Sequence, residues 1–232
     1  MEPQSYYHRK QFIKTGLITV AGSFALNLLP ACGEKGDEGQ EVSPPEDLMQ
    51  EHGLLNRILL IYDHCRIQLI NKTAFPMGAV SSAAMIIRQF VEDYHEKQEE
   101  DYLFPRFKKA NQLTDLVNVL LQQHQAGRTL TDKIMHLSKT TPLTEDDSKQ
   151  LLEALTAFNV MYRPHEARED TVLFPAFRKI VSSHEYDSLG EEFEKNEQKK
   201  FGEDGFATMV GKVADIEKQL GIYDLTQFTP AI

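Results

Sequence analysis

Tryptophan is absent, and only two cysteines, Cys32 and Cys65, occur in 232 residues. Two thiols cannot make a disulfide scaffold or a cysteine-rich zinc or iron–sulfur site. Positive charge is scarce: 25 Lys and Arg against 35 Asp and Glu leave a formal net charge of −10. Nucleic-acid binding needs a basic surface, so that class of partner is excluded. The apolar run from Leu17 to Leu29 is too short to span about 30 Å of hydrocarbon as a helix. Nowhere does an alternating pattern bounded by turns demand a strand. No motif for a flavin, a haem or a partner reductase occurs. With 41% hydrophobic and 26% charged residues, the chain is still globular rather than disordered.

The N-terminus reads as an export signal, residues 1–31. Basic residues His8-Arg9-Lys10 precede the apolar run, whose length suits a signal-peptide core. It ends in Leu29-Pro30-Ala31-Cys32, which resembles a bacterial lipoprotein box; Cys32 would carry the lipid and become the mature N-terminus. Arg9-Lys10-Gln11-Phe12-Ile13-Lys14 also resembles a twin-arginine export motif, with Lys10 in place of the second arginine. Residues 32–46, Gly-rich and acidic after the cysteine, read as a flexible tether. The expected location is therefore outside the cell's interior: lipid-anchored to the outer face of the cytoplasmic membrane, or in the periplasm. An acidic domain gains nothing from an anionic membrane, so the lipid would do the anchoring.

From 47 to 181 the pattern is four amphipathic helices, and the fold class is all-α, an up-and-down four-helix bundle. Ser43 with Glu46 has capping-box spacing, with Pro44 at the first helical position. Steps of three and four residues pick out one inward seam per helix. The first seam runs Leu48, His52, Leu55, Leu59, Tyr62, Arg66, Leu69, and the second Ala84, Ile87, Val91, His95, Glu99, Tyr102. The third runs Leu113, Val117, Leu120, His124, Gly127, Thr131, Ile134, and the fourth Leu151, Leu155, Phe158, Tyr162, His165, Glu169, Val172. Residues 182–232 add C-terminal helices, one with Leu189, Phe193 and Phe201, another from Phe206 to Leu220 stopped by Gly221. They are expected to cover a side or an end of the bundle.

Each seam is apolar except for one histidine, and two seams add a glutamate one turn later. Such groups in a core cost several kcal/mol unless paired or ligated. One core histidine has a bland explanation; four, with two carboxylates, do not. The pattern His-Glu-x-x-Glu-x-x-x-Leu-Phe-Pro-x-Phe occurs at His95 and again at His165, a step of 70, and His52 to His124 is a step of 72. Each half of the chain is thus a helical hairpin giving one histidine and then one His-x-x-x-Glu. Residues four apart on a helix differ by about 40° in direction and about 6 Å in height, so both reach inward at one level. Imidazoles with carboxylates suit iron, manganese or zinc. Glutamates from opposite hairpins could each bridge two metals.

Residues 47–180 resemble a hemerythrin-like (HHE cation-binding) domain, through the doubled His-x-x-x-Glu followed by Leu-Phe-Pro. The segment 182–232 resembles an extension found in some bacterial members. The resemblance implies a non-haem di-iron centre, two ions with oxo and carboxylate bridges, iron ranking ahead of manganese or zinc. By position, His52, His95, His124 and His165 match terminal ligands, and Glu99 and Glu169 match bridging carboxylates. Oxygen-carrying members have a second histidine where this chain has Arg128, and an aspartate at the offset of Asp170. Repeat symmetry and the seam select Glu169 over Asp170. A guanidinium cannot ligate a cation, so Arg128 is expected to pair with Glu96 or Glu166 or to point outward.

Glu96 and Glu166, about 100° off the seam, and His64, 12 residues beyond His52, are weaker metal candidates. His136 and His184 read as structural or solvated, and Cys65 as a small buried apolar residue. The resulting expectation is an exported protein whose di-iron site binds or reacts with oxygen, peroxide or nitric oxide, or handles iron. A di-iron oxidase or peroxidase, or a helical interaction protein with a vestigial site, are the alternatives.

Overall fold

The computed structural model describes residues 43–230. The stretches read as an export signal and as a lipoprotein box with Cys32, and most of the proposed tether, lie outside them. Among the described residues there are six helices and one 3-10 turn (Leu225–Phe228), with no strand. Helix α1 is Pro44–Asn71, α2 spans 77–110, α3 is Thr114–Leu137, α4 spans 145–180, α5 is Ser183–Phe201 and α6 is Gly205–Leu220. Pro44, Pro45 and Glu46, the end of the stretch read as tether, form the first turn of α1. None of the described helices is long and apolar enough to cross a membrane.

The ends follow local chemistry. The Ser43–Glu46 capping box opens α1, and a second box, Thr144 with Asp147, opens the fourth helix. Lys72 and Asn111 close α1 and α2 in the left-handed conformation, and Gly221 does the same for α6. Helices α1 to α4 run up and down as a bundle, with α3 on α4 and α4 on α1. The two C-terminal helices pack along α1 and α2; Phe193 of α5 and Val213 of α6 are fully buried. They cover a side of the bundle, as their amphipathic patterns require.

Along each bundle helix the histidine level separates two apolar clusters. One holds Leu55, Tyr62, Phe90, Phe158 and Tyr162; the other holds Leu48, Leu103, Phe104, Leu120, Leu173 and Phe174. Phe104, Phe107, Phe174 and Phe177 of the repeated motif are all buried. Each contributes about 1.5–3 kcal/mol relative to exposure. Phe107 meets Phe177 at 5.9 Å between ring centres, where the two repeats face each other.

Helix α2 departs from the regular seam expected of it. Its α-helical parts, Met77–Ile86, Glu96–Gln98 and Phe104–Ala110, alternate with π-helical stretches Ile87–His95 and Glu99–Leu103. In α4 a π-turn Glu169–Leu173 sits at the matching place. There the N–H of Phe104 bonds the carbonyl of Glu99, and that of Phe174 the carbonyl of Glu169, five residues back. Proline supplies the physical reason. Pro105 and Pro175 have no N–H for the carbonyl four residues back, and their rings crowd it; opening the preceding turn relieves that crowding. The extra residue turns the helix. Leu103 with Phe104, and Leu173 with Phe174, become buried, while Tyr102 and Val172 stand half-buried off the seam.

Candidate metal centre

The seam residues named from sequence converge. His52, His95, His124, His165, Glu99 and Glu169 are all buried, no more than 4% exposed. The Nε2 atoms of His52 and His95 lie 3.1 Å apart. Glu169 Oε2 is 3.2 Å from His165 Nε2 and 3.4 Å from His52 Nε2, so this carboxylate stands between the two hairpins. Glu99 Oε2 does the same from the other side, 3.4 Å from His124 Nε2 and 3.9 Å from His95 Nε2. The π-turns begin at these two glutamates, so each helix widens just where its carboxylate faces the centre.

Every histidine turns its other nitrogen outward to a fixed partner. His52 Nδ1 bonds Asp170 at 2.7 Å, and His95 Nδ1 bonds Glu51 at 2.7 Å. His124 Nδ1 bonds Glu100 at 3.1 Å, and His165 Nδ1 bonds Gln123 at 2.9 Å. Partners of this kind fix the tautomer and aim of an imidazole: with Nδ1 donating outward, the Nε2 lone pair faces the centre, where it could ligate a cation. The arrangement obeys the repeat. Glu51 and Gln123 each precede a histidine, and Glu100 and Asp170 each follow a central glutamate. Rings are held likewise, His52 on Phe174 and His124 on Phe104, both at 5.6 Å between centres.

The weaker candidates divide. Glu96 is buried outside the inner ring; its Oε1 accepts from the Tyr162 hydroxyl at 2.7 Å and its Oε2 pairs with Arg128 at 2.7 Å. Arg128 also bonds Glu100 at 2.7 Å, a partner the sequence did not suggest. Glu166 is buried too, and accepts a hydrogen bond from the Asn56 amide. His64 is not brought to the centre: it lies about 18 Å along α1 from His52, beside Gln68. His136 and His184 are exposed, the latter in the first turn of α5. Cys65 is fully buried, and burial pushes its thiol up to about 12. Gly127 has a steric duty: a Cβ there would stand 2.0 Å from the Tyr162 hydroxyl, so only glycine lets Tyr162 reach Glu96.

Without a cation these charges are in conflict. Burial and the facing charge of Glu169 hold Glu99 well above the usual carboxylate range. Burial opposes ionisation of Glu169 too, but His165 and His52 outweigh it and hold that carboxyl low. Burial would lower His52, yet Asp170 and Glu169 raise it well above normal. Burial and the nearby His52 charge depress His95, and burial takes His124 down to about 4. Burial raises Glu96 and Glu166 to about 8 each.

The unsatisfied atoms point the same way. Both oxygens of Glu99, both of Glu169 and Nε2 of His124 are buried without a hydrogen-bond partner. Native proteins rarely leave such atoms orphaned. Of four sets of donors whose ligand atoms lie within 4.8 Å of one another, two are made of the inner residues alone: His52, His95 and Glu99, and Glu99, His124, His165 and Glu169. They share Glu99. Nitrogen and carboxylate donors of this kind fit a first-row divalent ion such as iron, manganese or zinc.

Comparison with known proteins agrees. The hemerythrin HHE cation binding domain matches residues 43–177. Two proteins named only as uncharacterized, Rv1995 of Mycobacterium tuberculosis (strain H37Rv) and Mb2018 of Mycobacterium bovis, are each 48% identical to this chain over 191 residues. The match covers 82% of this chain and 75% of each of theirs. No solved structure matches significantly. The helical bundle, its doubled His-x-x-x-Glu and the family match lead to one conclusion: the chain belongs to the hemerythrin HHE cation-binding domain family.

Proposed function

We propose that the centre holds two iron ions, with His52 and His95 as terminal ligands of one, His124 and His165 of the other, and Glu99 and Glu169 bridging them. The observation that carries this reading is the pair of orphaned carboxylates, each lying between histidines of both hairpins. Six inward donors exceed what one four-coordinate ion uses and suit two bridged ions. Iron, when bound, supplies affinity for oxygen, peroxide or nitric oxide and one-electron redox change. The chain's own residues aim the imidazoles, exclude bulk water and fix the surrounding charge.

Arg128 favours reaction over reversible carriage. Its guanidinium is occupied by Glu96 and Glu100, so the third helix supplies one nitrogen ligand rather than two. An ion bound there would lack one nitrogen ligand and would take a small exchangeable ligand or an additional carboxylate instead, and anionic ligands stabilise ferric iron. We read the protein as an envelope protein that handles iron or reacts with a small ligand, exported and anchored through a lipid on Cys32. An exchangeable ligand there would favour, as a second reading, an oxidase or peroxidase, which would also need an electron donor.

Metal content of the purified protein, read with its absorption spectrum, tests the centre. About two irons per chain, and a reduced form that oxidises in air without returning when oxygen is removed, are expected. No iron bound under reducing conditions, or repeated cycling by gas exchange alone, would overturn the reading. Cys32→Ala should release the protein from the membrane fraction; wild-type protein found in the cytosol with residues 1–31 intact would refute the location.

A further inference from the structure

Among the described residues eight large apolar side chains are exposed, and four of them share one side of the bundle. Leu60, Ile67 and Ile70 of α1 are 43%, 54% and 60% exposed, and Val160 of α4 is 68% exposed. The other four are Val119 on α3 and Tyr223, Leu225 and Phe228 beyond α6. Arg66 donates to the Thr156 hydroxyl at 2.8 Å and Asn159 to Asp63 at 2.9 Å, which sets α1 beside α4. Leu60 and Ile67, two turns apart, lie on one outward line of α1. Val160, one residue past Asn159, is turned about 100° away from α1 towards solvent. From Leu60 to Ile70 the stripe runs about 15 Å. At its far end Ile70 and Leu152 border an open groove of about 1330 Å³, lined with Leu69, Phe75 and Leu143. None of the described helices covers these four side chains; α6 meets α1 through Arg57 and Glu217, on another line of the helix.

We propose that a second copy of this chain docks here, α1 and α4 of one copy against α1 and α4 of the other. Contiguous exposed apolar surface marks interaction sites. A twofold contact uses the same patch on both copies, so the patch must complement itself. This one does so in shape, since the ridge of Leu60, Ile67 and Val160 stands beside a groove that can receive a ridge. It does so in charge as well. Asp63 pairs with Arg66 at 2.6 Å and with Arg163, and Lys72 pairs with Glu145 at 3.2 Å beside the groove. The chain as a whole carries −10, which drives copies apart. A face whose charges are already paired lets two copies meet with little repulsion, and these pairs leave no single sign to select an oppositely charged partner. None of these residues is a proposed metal ligand, so the contact stands whatever the centre binds.

Sedimentation equilibrium of the full chain, from about 1 µM to about 200 µM, tests it. The mass should rise from 26.5 kDa towards about twice that and stop there, because a twofold contact closes on itself. Each residue enters such a contact twice, so Ile67→Glu and Val160→Glu should each weaken association at least about 100-fold. Both variants should keep the wild-type helical circular dichroism, since both side chains already face water, and either one decides the matter if the other fails to fold. Val119→Glu, a matching change at an exposed site on α3, should associate as wild type does. A single copy at every concentration, or a mass that climbs past two copies, would overturn the proposal. So would Ile67→Glu and Val160→Glu proteins that still associate, which would place the contact elsewhere, as at the apolar run from Leu17 to Leu29. Equal loss of association in Val119→Glu would overturn it too, because added charge alone would then be the cause.

Discussion

The first hairpin, α1 with α2, and the second, α3 with α4, hold the same inner set and surround it differently. Each gives one histidine, then His-x-x-x-Glu opening into a π-turn. The outer partners begin in register: Glu100 matches Asp170 and takes the corresponding histidine. They then diverge. His95 leans on a carboxylate, Glu51, whereas its counterpart His165 leans on an amide, Gln123. Asn56 bonds Glu166, while Arg128 in the same place pairs with Glu96. Glu92 stands where the other half has Tyr162. The symmetric part is geometry, the positions that the two proposed cations would need. The asymmetric part is charge. A carboxylate on Nδ1 makes an imidazole a stronger donor, so the ion at His52 and His95 should be held more tightly than its neighbour.

The largest expected effect removes what the halves share. Glu99→Ala and Glu169→Ala should each cost both ions, because each carboxylate lies between histidines of both hairpins and its loss leaves two cations less screened. His95→Ala or His165→Ala should cost mainly one. Iron counts per chain separate these outcomes. Selective loss of one ion in both glutamate variants would break the bridging role.

The next effect sharpens the difference. Glu51→Gln makes the first half like the second, and Gln123→Glu the reverse. The first should weaken one ion by about 10–100-fold, and the second should narrow the gap between the two ions. Competition with a coloured chelator reads both affinities. Equal, unshifted affinities in both variants would mean that the outer partners only position the rings.

How much of this was legible in the chain follows from the same residues. Seam periodicity alone picks His52, His95, His124, His165, Glu99 and Glu169, because ligands one turn apart share a helix face. The outer partners are not visible that way. Glu51, Gln123, Glu100 and Asp170 neighbour seam residues in sequence, which turns them about 100° aside and towards another helix. Only their recurrence at the repeat spacing of 70 and 72 hints at a common duty. The π-turns leave no compositional mark except Leu-Phe-Pro, and reading that proline as a helix-widening signal would have moved the seam from Tyr102 to Leu103 and Phe104.

Arg128 and Gly127 mark the second half and predict intermediate effects. Arg128→His adds a nitrogen donor beside His124, and should slow oxidation of the reduced protein in air and lengthen the life of its reduced spectrum. Gly127→Ala drives a Cβ into Tyr162, so it should cost about 1–3 kcal/mol and free Glu96 from its hydroxyl partner. Gly53, in α1, has nothing within 4 Å of an added Cβ. There the same change should stabilise by about 0.5–1 kcal/mol through helix propensity. Urea unfolding of both variants reads the sign; a stabilising Gly127→Ala would show that Tyr162 moves aside at little cost.

The smallest effect separates Glu92 from its counterpart Tyr162. Burial holds the Glu92 carboxyl above the usual range, against the opposing pull of Thr131, Arg88 and Arg128. Burial, with the charge of Glu96, raises the Tyr162 phenol well above its ordinary value, so it stays neutral throughout the working range. A carboxyl that holds its proton more tightly folded than unfolded stabilises the fold at low pH. That contribution is lost as pH rises from the unfolded value through the folded one. Chelator-treated protein should therefore lose stability as pH climbs above 4.5, the ordinary glutamate value, the four raised glutamates outweighing His95 and His124, whose depressed values act the other way. Glu92→Gln has no proton to lose there, so its urea midpoint should fall less steeply from about pH 5 to about pH 7. Glu96, Glu99 and Glu166 keep their own raised values, so the decline becomes shallower rather than flat. Tyr162→Phe should lower the midpoint by a similar amount at every pH in that range. A slope unchanged by Glu92→Gln would mean that Arg88, 3.1 Å away, keeps Glu92 ionised throughout and that the two positions differ in shape alone.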